Sequence, residues 1–191
     1  MRISMLVVGL GNPGAEYERT RHNAGFKAID RLAGHLGGTR FKRAYRGKYA
    51  EMALQSSDTI LGLLKPKTYM NRSGQSVGRA VRDLGIETEE IIVVHDDLDL
   101  PLGRIKIKKG GGVAGHRGLE SIRDTLGTGD FLRVRIGIDR PSRGDATDYV
   151  LGRFRTDEEV ILENEVLPGV VEAILIISLE SAEKAMNECN R

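Results

Sequence analysis

Two short polar segments carry the side chains best suited to chemistry. His22 lies in Thr20-Arg21-His22-Asn23, just before an apolar helical pattern, and Asp96 lies in His95-Asp96-Asp97-Leu98-Asp99, after an apolar run. A carboxylate that grips one ring nitrogen of a histidine fixes its tautomer and makes the other nitrogen a better base near neutral pH. A lone histidine is more often a surface or capping residue, so a nearby carboxylate such as Asp96 is what favours a catalytic role for His22.

The sequence suggests no nucleophilic side chain to accompany that base. There is no G-x-S-x-G elbow, and the single cysteine, Cys189, lies close to the C-terminus. A histidine base would therefore have to activate water. Two neutral amides, Asn12 and Asn71, follow predicted strands and are suited to hold a carbonyl oxygen as it becomes negative. Either asparagine alone is more often a turn residue.

Metal and nucleotide sites are the alternatives for these segments. His95 and Asp96 are adjacent on a predicted strand, so they point to opposite faces and do not easily share an ion, and no H-x-x-x-H or C-x-x-C pair occurs. The run Gly9-Leu10-Gly11-Asn12-Pro13-Gly14 matches G-x-G-x-x-G, but Pro13 and a polar stretch delay the helix that a dinucleotide site needs. We expect no metal and no cofactor; the glycines then form a tight turn or a turn that presents Asn12 to a substrate.

The middle of the chain is suited to a polyanion. From Pro101 to Arg143 there are ten Lys or Arg against four acids, whereas Asp157 to Arg191 has nine acids and two bases. Basic and apolar residues alternate in 104–108 and 133–136, which predicts two strands with their bases on one face. A glycine-rich loop, 110–118, follows the first of them and leads into a helix, an arrangement that suits phosphate. A solvated charged surface and a mobile loop are the competing interpretations.

The predicted elements position these segments within an α/β fold. Apolar runs predict buried strands at 3–9 and 91–94, and 48–55 and 59–65 resemble two further strands. Helical periodicity appears after residue 24, after Ser73 and around Leu119–Leu126. We expect a single domain, 1–191, with a twisted mixed sheet, helices on both sides and acidic C-terminal helices. Pro168-Gly169 is expected to interrupt the first acidic helix, and a second runs to about Met186.

Length and composition agree with that architecture. A chain of 191 residues with 40% apolar and 29% charged residues is ordinary for one globular domain. One cysteine excludes an internal disulfide and favours a reducing compartment. The longest apolar stretch, 173–179, is far shorter than the roughly 20 residues of a membrane helix, and we see no signal peptide. We therefore expect a cytoplasmic protein with no membrane partner.

Taken together, the segments resemble the bacterial-type peptidyl-tRNA hydrolases. The matching stretches are VVGLGNPGAEYERTRHNAGF, LKPKTYMNRSG, VVHDDLDLPLGRIKIKKGG, AGHRGL, FLRVRIGIDRP and YVLGRF. They run in order from Val7 to Phe154 and are specific as a set rather than singly. The resemblance implies a metal-independent, usually monomeric single-domain enzyme. Such an enzyme hydrolyses the ester between a peptide and the terminal ribose of its tRNA and binds the acceptor stem and 3′ end.

The resemblance also implies roles for individual residues. By position, His22 is expected to activate water and Asp96 to be its partner carboxylate. The remaining expected residues are amides that place the substrate (Asn12, Asn71), further substrate-binding or lining residues (Tyr17, Met70) and a clamp on the 5′ phosphate (Lys108, Arg135).

One position departs from the family pattern. Arg117 follows the histidine of the glycine loop, where the family usually has asparagine. Asparagine can accept a hydrogen bond from the attacking water, whereas arginine only donates. The water-positioning role is therefore open here, and our hypothesis is that Arg117 supports a phosphate or the developing oxyanion.

Two other functional classes compete with the hydrolase. A non-catalytic RNA-binding protein could use the same basic strands, but the nine aromatic residues form no interleaved stacking platform on them. A nucleotide-dependent enzyme would depend on the glycine run. Multiple turnover of peptidyl-tRNA distinguishes the first alternative, and a melting-temperature shift with NAD or ATP tests the second.

Overall fold

The computed structural model describes residues 2–55 and 57–190, and within them a central sheet of seven strands. The strands are β1 (Met5–Gly9), β2 (Lys42–Ala44), β3 (Gly47–Ala53), β4 (Ile60–Pro66), β5 (Ile91–Asp97), β6 (Ile105–Lys109) and β7 (Leu132–Gly137). Their order across the sheet is β2-β3-β4-β1-β5-β7-β6. The neighbours β4, β1, β5 and β7 are parallel, and the pairs β2–β3, β3–β4 and β6–β7 are antiparallel. The sheet is therefore mixed, as predicted.

Helices cover both faces of this sheet. They are α1 (Ala24–His35), α2 (Ser73–Leu84), α3 (Arg117–Leu126), α4 (Ala146–Leu151), α5 (Thr156–Ile161), α6 (Leu167–Leu179) and α7 (Ala182–Cys189). One apolar core lies between the sheet and α1, α6 and α7, and a second lies between the sheet and α2 and α3. This confirms the predicted single-domain α/β architecture. Within residues 2–55 and 57–190, no helix is long and apolar enough to cross a bilayer.

The strand β1 shows why the apolar runs form the centre of the sheet. Leu6 and Val8 point into the core beneath α2 and α3, while Val7 points into the core beneath α1 and α6. All three side chains are fully buried, and each such burial contributes about 1.5–3 kcal/mol to folding. A strand that is apolar at every position can bury the side chains on both of its faces only when helices cover both faces of the sheet.

Two glycines let α1 approach the end of β1 closely. A methyl group on Gly25 would lie 2.4 Å from both Leu10 N and Val94 O, and one on Gly9 would lie 2.2 Å from Gly25 O. Helix α1 therefore begins directly against the carboxyl ends of β1 and β5. The 3₁₀ turn Arg21–Asn23, which precedes α1, is held beside those strand ends as a consequence.

The C-terminal helices differ from the prediction in where they break. Pro168-Gly169 does not interrupt the first acidic helix, because Pro168 lies in the first turn of α6, where its missing N–H is tolerated. A π-helical turn, Leu162–Val166, joins α5 to α6 without a loop. The break occurs instead after Leu179, where Ser181 accepts a hydrogen bond from Lys184 N and caps α7. The predicted second helix is thus two helices.

Candidate active site

The predicted site residues converge at the carboxyl ends of the parallel strands, around a cavity of about 720 Å³. This is the edge at which open α/β sheets bind ligands. Eight of the nine expected residues line the cavity: Asn12, His22, Met70, Asn71, Asp96, Lys108, Arg117 and Arg135. Tyr17, the ninth, lies outside the lining and contacts Tyr69, which is part of it.

His22 and Asp96 are in direct contact at the centre of this cavity. His22 Nδ1 lies 2.8 Å from Asp96 Oδ2, a hydrogen-bonding distance. The Asp96 side chain is 2% exposed and that of His22 is 13% exposed. Because the carboxylate can only accept, His22 carries its proton on Nδ1 when it is neutral. That tautomer leaves the Nε2 lone pair available as a base.

His116 holds the same carboxylate from the other side, a contact that the sequence analysis missed. Its Nε2 lies 3.0 Å from Asp96 Oδ1, and its Nδ1 accepts hydrogen bonds from the backbone N–H groups of Gly118 and Leu119. The imidazole is therefore the N-cap of α3, and its proton is confined to Nε2. A histidine directly before a helical pattern was the available signal, although an imidazole is an unusual cap.

The environment of Asp96 keeps it ionised. Burial alone would raise the pKa of this carboxyl, but the attraction of His22 and His116 and their hydrogen bonds lower it far below its ordinary value. Among residues 2–55 and 57–190, the ligand-type atoms of His22, Asp96 and His116 all lie within 4.8 Å of one another, and this group could hold a metal ion. The ring nitrogens nearest the carboxylate already bond to it, and an ion there would have to displace those bonds.

His95 lies behind His116 and differs from the other two histidines. Its Nδ1 donates to the backbone oxygen of Asp96, its Nε2 has no hydrogen-bond partner within the described residues, and its ring lies 4.9 Å from that of His116. Burial, followed by the nearby His116, lowers the pKa of His95 to about 3. It is therefore a neutral wall of the cavity rather than a titrating group near neutral pH.

Asn12 is fixed with its amide donors left over for a ligand. Its Oδ1 accepts a hydrogen bond from Met70 N at 2.8 Å, and its backbone forms a pair of hydrogen bonds with the Asn23 side chain. The atom facing the Met70 N–H must be the oxygen, because only an acceptor fits there. Asn12 can therefore offer N–H donors to a substrate. The contact also ties the loop after β1 to the loop after β4.

The loop after β4 forms the wall opposite the basic strands. Met70 is buried beneath the cavity, and Asn71 is exposed beside it in the 3₁₀ turn Met70–Arg72. Tyr69 precedes them with a φ of 59°, and the residue is 53% exposed. The ring of Tyr17 packs edge-on against that of Tyr69, with 6.4 Å between the centroids. Tyr17 therefore contributes at the rim.

Lys108 and Arg135 lie on neighbouring strands on the other side of the cavity. Lys108 is exposed beside Gly111 of the glycine loop. Arg135 Nε lies 2.7 Å from Asp97 Oδ2, and its side chain is 18% exposed. Burial opposes ionisation of Asp97, but the Arg135 hydrogen bond leads the contacts that lower its pKa. The terminal nitrogens of the guanidinium therefore remain for other partners.

Arg133 shares this strand alternation but performs a different task. Its side chain is buried, and its guanidinium donates to the carbonyl oxygens of Gly111, Gly112 and Gly129. It therefore holds the glycine loop from beneath rather than offering a charge to solvent. The prediction that the bases of the two strands share one face is right, because Arg133 pairs with Lys108 and Arg135 with Lys106. Of these bases, Arg133 is buried beneath the glycine loop and is not free to bind phosphate.

Arg117 is the first residue of α3 and is exposed at the cavity wall, directly after His116. The helix dipole places a partial positive charge at the N-terminus of α3, and the exposed guanidinium adds a full positive charge there. The position therefore attracts anions.

Comparison with known proteins identifies the family of this chain. The sequence model of the peptidyl-tRNA hydrolase family matches residues 6–191. A peptidyl-tRNA hydrolase of Geotalea daltonii is 47% identical over 186 residues, 97% of this chain and 95% of its own length. One from Geotalea uraniireducens is 48% identical over 185 residues, with the same shares. The crystal structure of peptidyl-tRNA hydrolase from Acinetobacter baumannii superposes with a TM-score of 0.90 at 36% identity, covering 100% of this chain and 97% of that one.

The match spans nearly the whole chain, its identities lie well above those at which only a fold is shared, and the solved relative has the same architecture. The chain therefore belongs to the peptidyl-tRNA hydrolase family and is an ester hydrolase.

Proposed function

We propose that this enzyme hydrolyses the ester between the peptide and the tRNA of peptidyl-tRNA, with His22 as the base that activates water. Hydrolysis would free both the tRNA and the peptide of a prematurely released chain. The observation that carries the proposal is the 2.8 Å contact between His22 Nδ1 and Asp96 Oδ2 at the centre of the cavity. When His22 is neutral, this contact leaves Nε2 without a proton, and the described residues that line the cavity include no serine or cysteine.

The reaction then follows from the tautomer of His22. Nε2 takes a proton from a water molecule as the water oxygen bonds to the ester carbonyl carbon. The resulting imidazolium is stabilised by the ionised Asp96, whose other oxygen is already held by His116. When the bond from that carbon to the ribose oxygen breaks, the same proton passes to the ribose oxygen. The products are a tRNA hydroxyl and the carboxylic acid of the free peptide, which then releases its proton to solvent and becomes a carboxylate.

Asn12 and Asn71 are suited to the negative charge that forms on the carbonyl oxygen. The amide donors of Asn12 are available because its oxygen is bound to Met70 N, and Asn71 is exposed on the same wall. Removing one such donor from an oxyanion site typically costs about 10²–10³ in rate. Tyr17 and Tyr69 extend this wall outwards, and with Met70 they offer apolar surface to the acyl group and its neighbours.

The basic wall is suited to the RNA. Lys108 is exposed and Arg135 keeps its terminal nitrogens free of Asp97, so both can contact the 5′ phosphate of the acceptor stem. The RNA 3′ end would then cross the cavity toward His22. Arg117 lines the same cavity at the start of α3, which supports our hypothesis that it binds a phosphate or the developing oxyanion.

We also propose, from the family resemblance alone, that the enzyme is a monomer and needs no metal. A cytoplasmic site of action follows from the tRNA substrate and from the single cysteine, Cys189.

The test is cleavage of N-blocked aminoacyl-tRNA, with and without a chelator, beside the unblocked aminoacyl-tRNA. We expect multiple turnover of the blocked substrate, indifference to the chelator and little cleavage of the unblocked one. No turnover of the blocked substrate would reject the function. Loss of turnover with chelator would reject only the proposal that His22 activates water without a metal.

A further inference from the structure

Arg21 is a buried cation next to the proposed base. It precedes His22 in the turn Arg21–Asn23, and its Nη2 lies 2.7 Å from Glu158 Oε2. The side chains of Arg21 and Glu158 are 8% and 6% exposed. The guanidinium carbon lies 4.2 Å from the centre of the Tyr149 ring and 5.6 Å from that of Phe154. Arg21 is thus enclosed by residues from the segment 149–158, which we call the clasp.

The backbone makes the same connection. Arg21 N donates to Gly152 O at 3.0 Å, Phe154 N donates to Arg19 O at 3.3 Å, and Thr20 and Arg153 form an isolated antiparallel bridge. Glu158 Oε2 accepts a second hydrogen bond, from Arg155 N at 2.7 Å. The turn that carries His22 is therefore fastened to the clasp by main chain and side chain together.

The clasp also continues into the wall of the active-site cavity. Helix α4 overlaps its beginning, and Ala146, Thr147, Val150 and Leu151 line the cavity. Tyr149 lies on the same short helix, with its ring beneath the Arg21 guanidinium and its hydroxyl donating to Ile138 O. A displacement of Arg21 would therefore move both the base and the wall that faces the substrate.

Stability alone does not account for such a pair. Taking a guanidinium and a carboxylate out of water costs several kcal/mol per ion, and apolar residues of similar volume often replace buried pairs with no loss or a gain in stability. What apolar residues cannot supply is the directional hydrogen bond that fixes the relative orientation of two segments. Because Arg21 is adjacent to His22, the orientation that the pair fixes is that of the turn carrying the proposed base.

We propose that Arg21 and Glu158 are positioning residues, whose ion pair holds the His22 turn at the distance from Asp96 and from the α4 wall that hydrolysis requires. The proposal rests on the proposed function of His22. Neither residue lines the active-site cavity, so we expect their effect on the turnover step rather than on tRNA affinity. A misplacement of about 1 Å at a reacting group can cost about a hundredfold in rate.

The test is the double variant Arg21→Met/Glu158→Leu, which removes the directional bond but keeps an apolar filling. With N-blocked aminoacyl-tRNA we expect kcat to fall by about 10- to 100-fold, tRNA Kd to stay within about twofold and the melting temperature to stay near that of the wild type. The ring ¹⁵N signals of His22, assigned from their absence in His22→Ala, should shift as its contact with Asp96 changes.

The neighbouring pair Arg19–Glu159 supplies a matched control. It joins residues just beside the turn and the clasp at 2.7 Å, but the Arg19 side chain is 60% exposed. Arg19→Met/Glu159→Leu should leave kcat within about twofold and the His22 signals unchanged, because an exposed pair contributes little.

Three results would overturn the proposal: a folded Arg21/Glu158 variant with wild-type kcat, an equal loss in the Arg19/Glu159 control, or a loss carried by tRNA affinity. If the double variant does not fold, Glu158→Gln replaces it. We expect the same drop in kcat for this variant, and a wild-type kcat would contradict the proposal. If His22→Ala itself keeps full activity, the proposed role of His22 as the base fails. That outcome is distinct from a failure of the positioning proposal, because it is measured on His22→Ala and not on the Arg21/Glu158 variant.

Discussion

His116 Nε2 lies 3.0 Å from Asp96 Oδ1, and the opposite ring nitrogen of His116 caps helix α3. The carboxylate of Asp96 therefore receives one imidazole on each oxygen. Because the backbone N–H groups of α3 fix the tautomer of His116, this histidine can only donate to Asp96. The N-terminus of α3 thus determines where the partner of the base is held.

Replacing His116 with alanine should destabilise the fold as well as the site. The change leaves a buried oxygen of Asp96 without its donor and α3 without its cap, which together cost about 1–3 kcal/mol in the free energy of unfolding. His116→Asn keeps a capping group that is too short to reach Asp96, so it should recover part of that loss. Urea unfolding at pH 7 measures both, with the exposed Glu120→Ala in α3 as the control. Equal midpoints for wild type and His116→Ala would contradict this role.

His22→Ala should remove turnover while leaving binding of tRNA intact. A positioned general base contributes about 10²–10⁴ in rate, whereas the basic wall that we assign to RNA affinity is formed by other residues. We expect kcat to fall by about that factor and the Kd for deacylated tRNA to stay within about twofold. His35→Ala, at the exposed end of α1, should change neither quantity. A parallel loss of affinity would count against His22 as a base.

The centre of the fold and of the site could be predicted because both depend on local patterns. Apolar runs identify β1 and β5 as buried strands, and parallel strands bring their carboxyl ends to one edge. Asn12, just after β1, and Asp96, at the carboxyl end of β5, must then lie close together. The close packing of Gly25 against Leu10 and Val94 adds the His22 turn to that edge.

Other features depend on contacts that no local pattern contains. Arg133 and Arg135 share one alternation, yet Arg133 is buried and donates to the glycine loop, whereas the Arg135 side chain is partly exposed. The three-residue strand β2 is basic and exposed, and only its pairing with β3 makes it a strand. Pro168 predicts a break where a π-helical turn instead carries the chain into α6.

Lys108→Ala should flatten the salt dependence of tRNA binding. Each lost phosphate contact lowers the slope of log K against log salt by about 0.7–0.9. Lys106→Ala is the matched control, since Lys106 is exposed on the same face of β6 but does not line the cavity. Arg135→Ala is less direct because it also leaves Asp97 without its partner. Identical slopes for Lys108→Ala and Lys106→Ala would reject the phosphate clamp at Lys108.

Arg117→Asn tests the position where this chain departs from its family. If the guanidinium supports a phosphate or the oxyanion, the change should lower kcat/KM for N-blocked aminoacyl-tRNA by about tenfold, equivalent to about 1.4 kcal/mol. A rise in KM alone would indicate the phosphate, and a fall in kcat the oxyanion. Arg123→Asn, on the exposed side of α3 away from the cavity lining, provides the control. If Arg117→Asn leaves binding and turnover unchanged, the residue has neither role.

His95 should make the fold less stable as the pH falls below about 6.5. Burial, and then His116, lower its folded pKa to about 3, whereas the unfolded chain binds this proton near pH 6.5. Between those values the unfolded state holds one more proton, so stability is full above the unfolded pKa and declines by up to about 1.4 kcal/mol per pH unit on acidification. From pH 6 to pH 4.5 that amounts to roughly 2 kcal/mol.

The variant His95→Asn, which can still donate to the Asp96 backbone oxygen, should lose this part of the decline in the free energy of unfolding, measured with urea. The comparison stops at pH 4.5 because Asp96, whose pKa is lowered, adds its own loss near and below its unfolded pKa of about 4. If the free energies of unfolding of wild type and His95→Asn decline equally between pH 6 and pH 4.5, His95 is not the group responsible for the loss of stability.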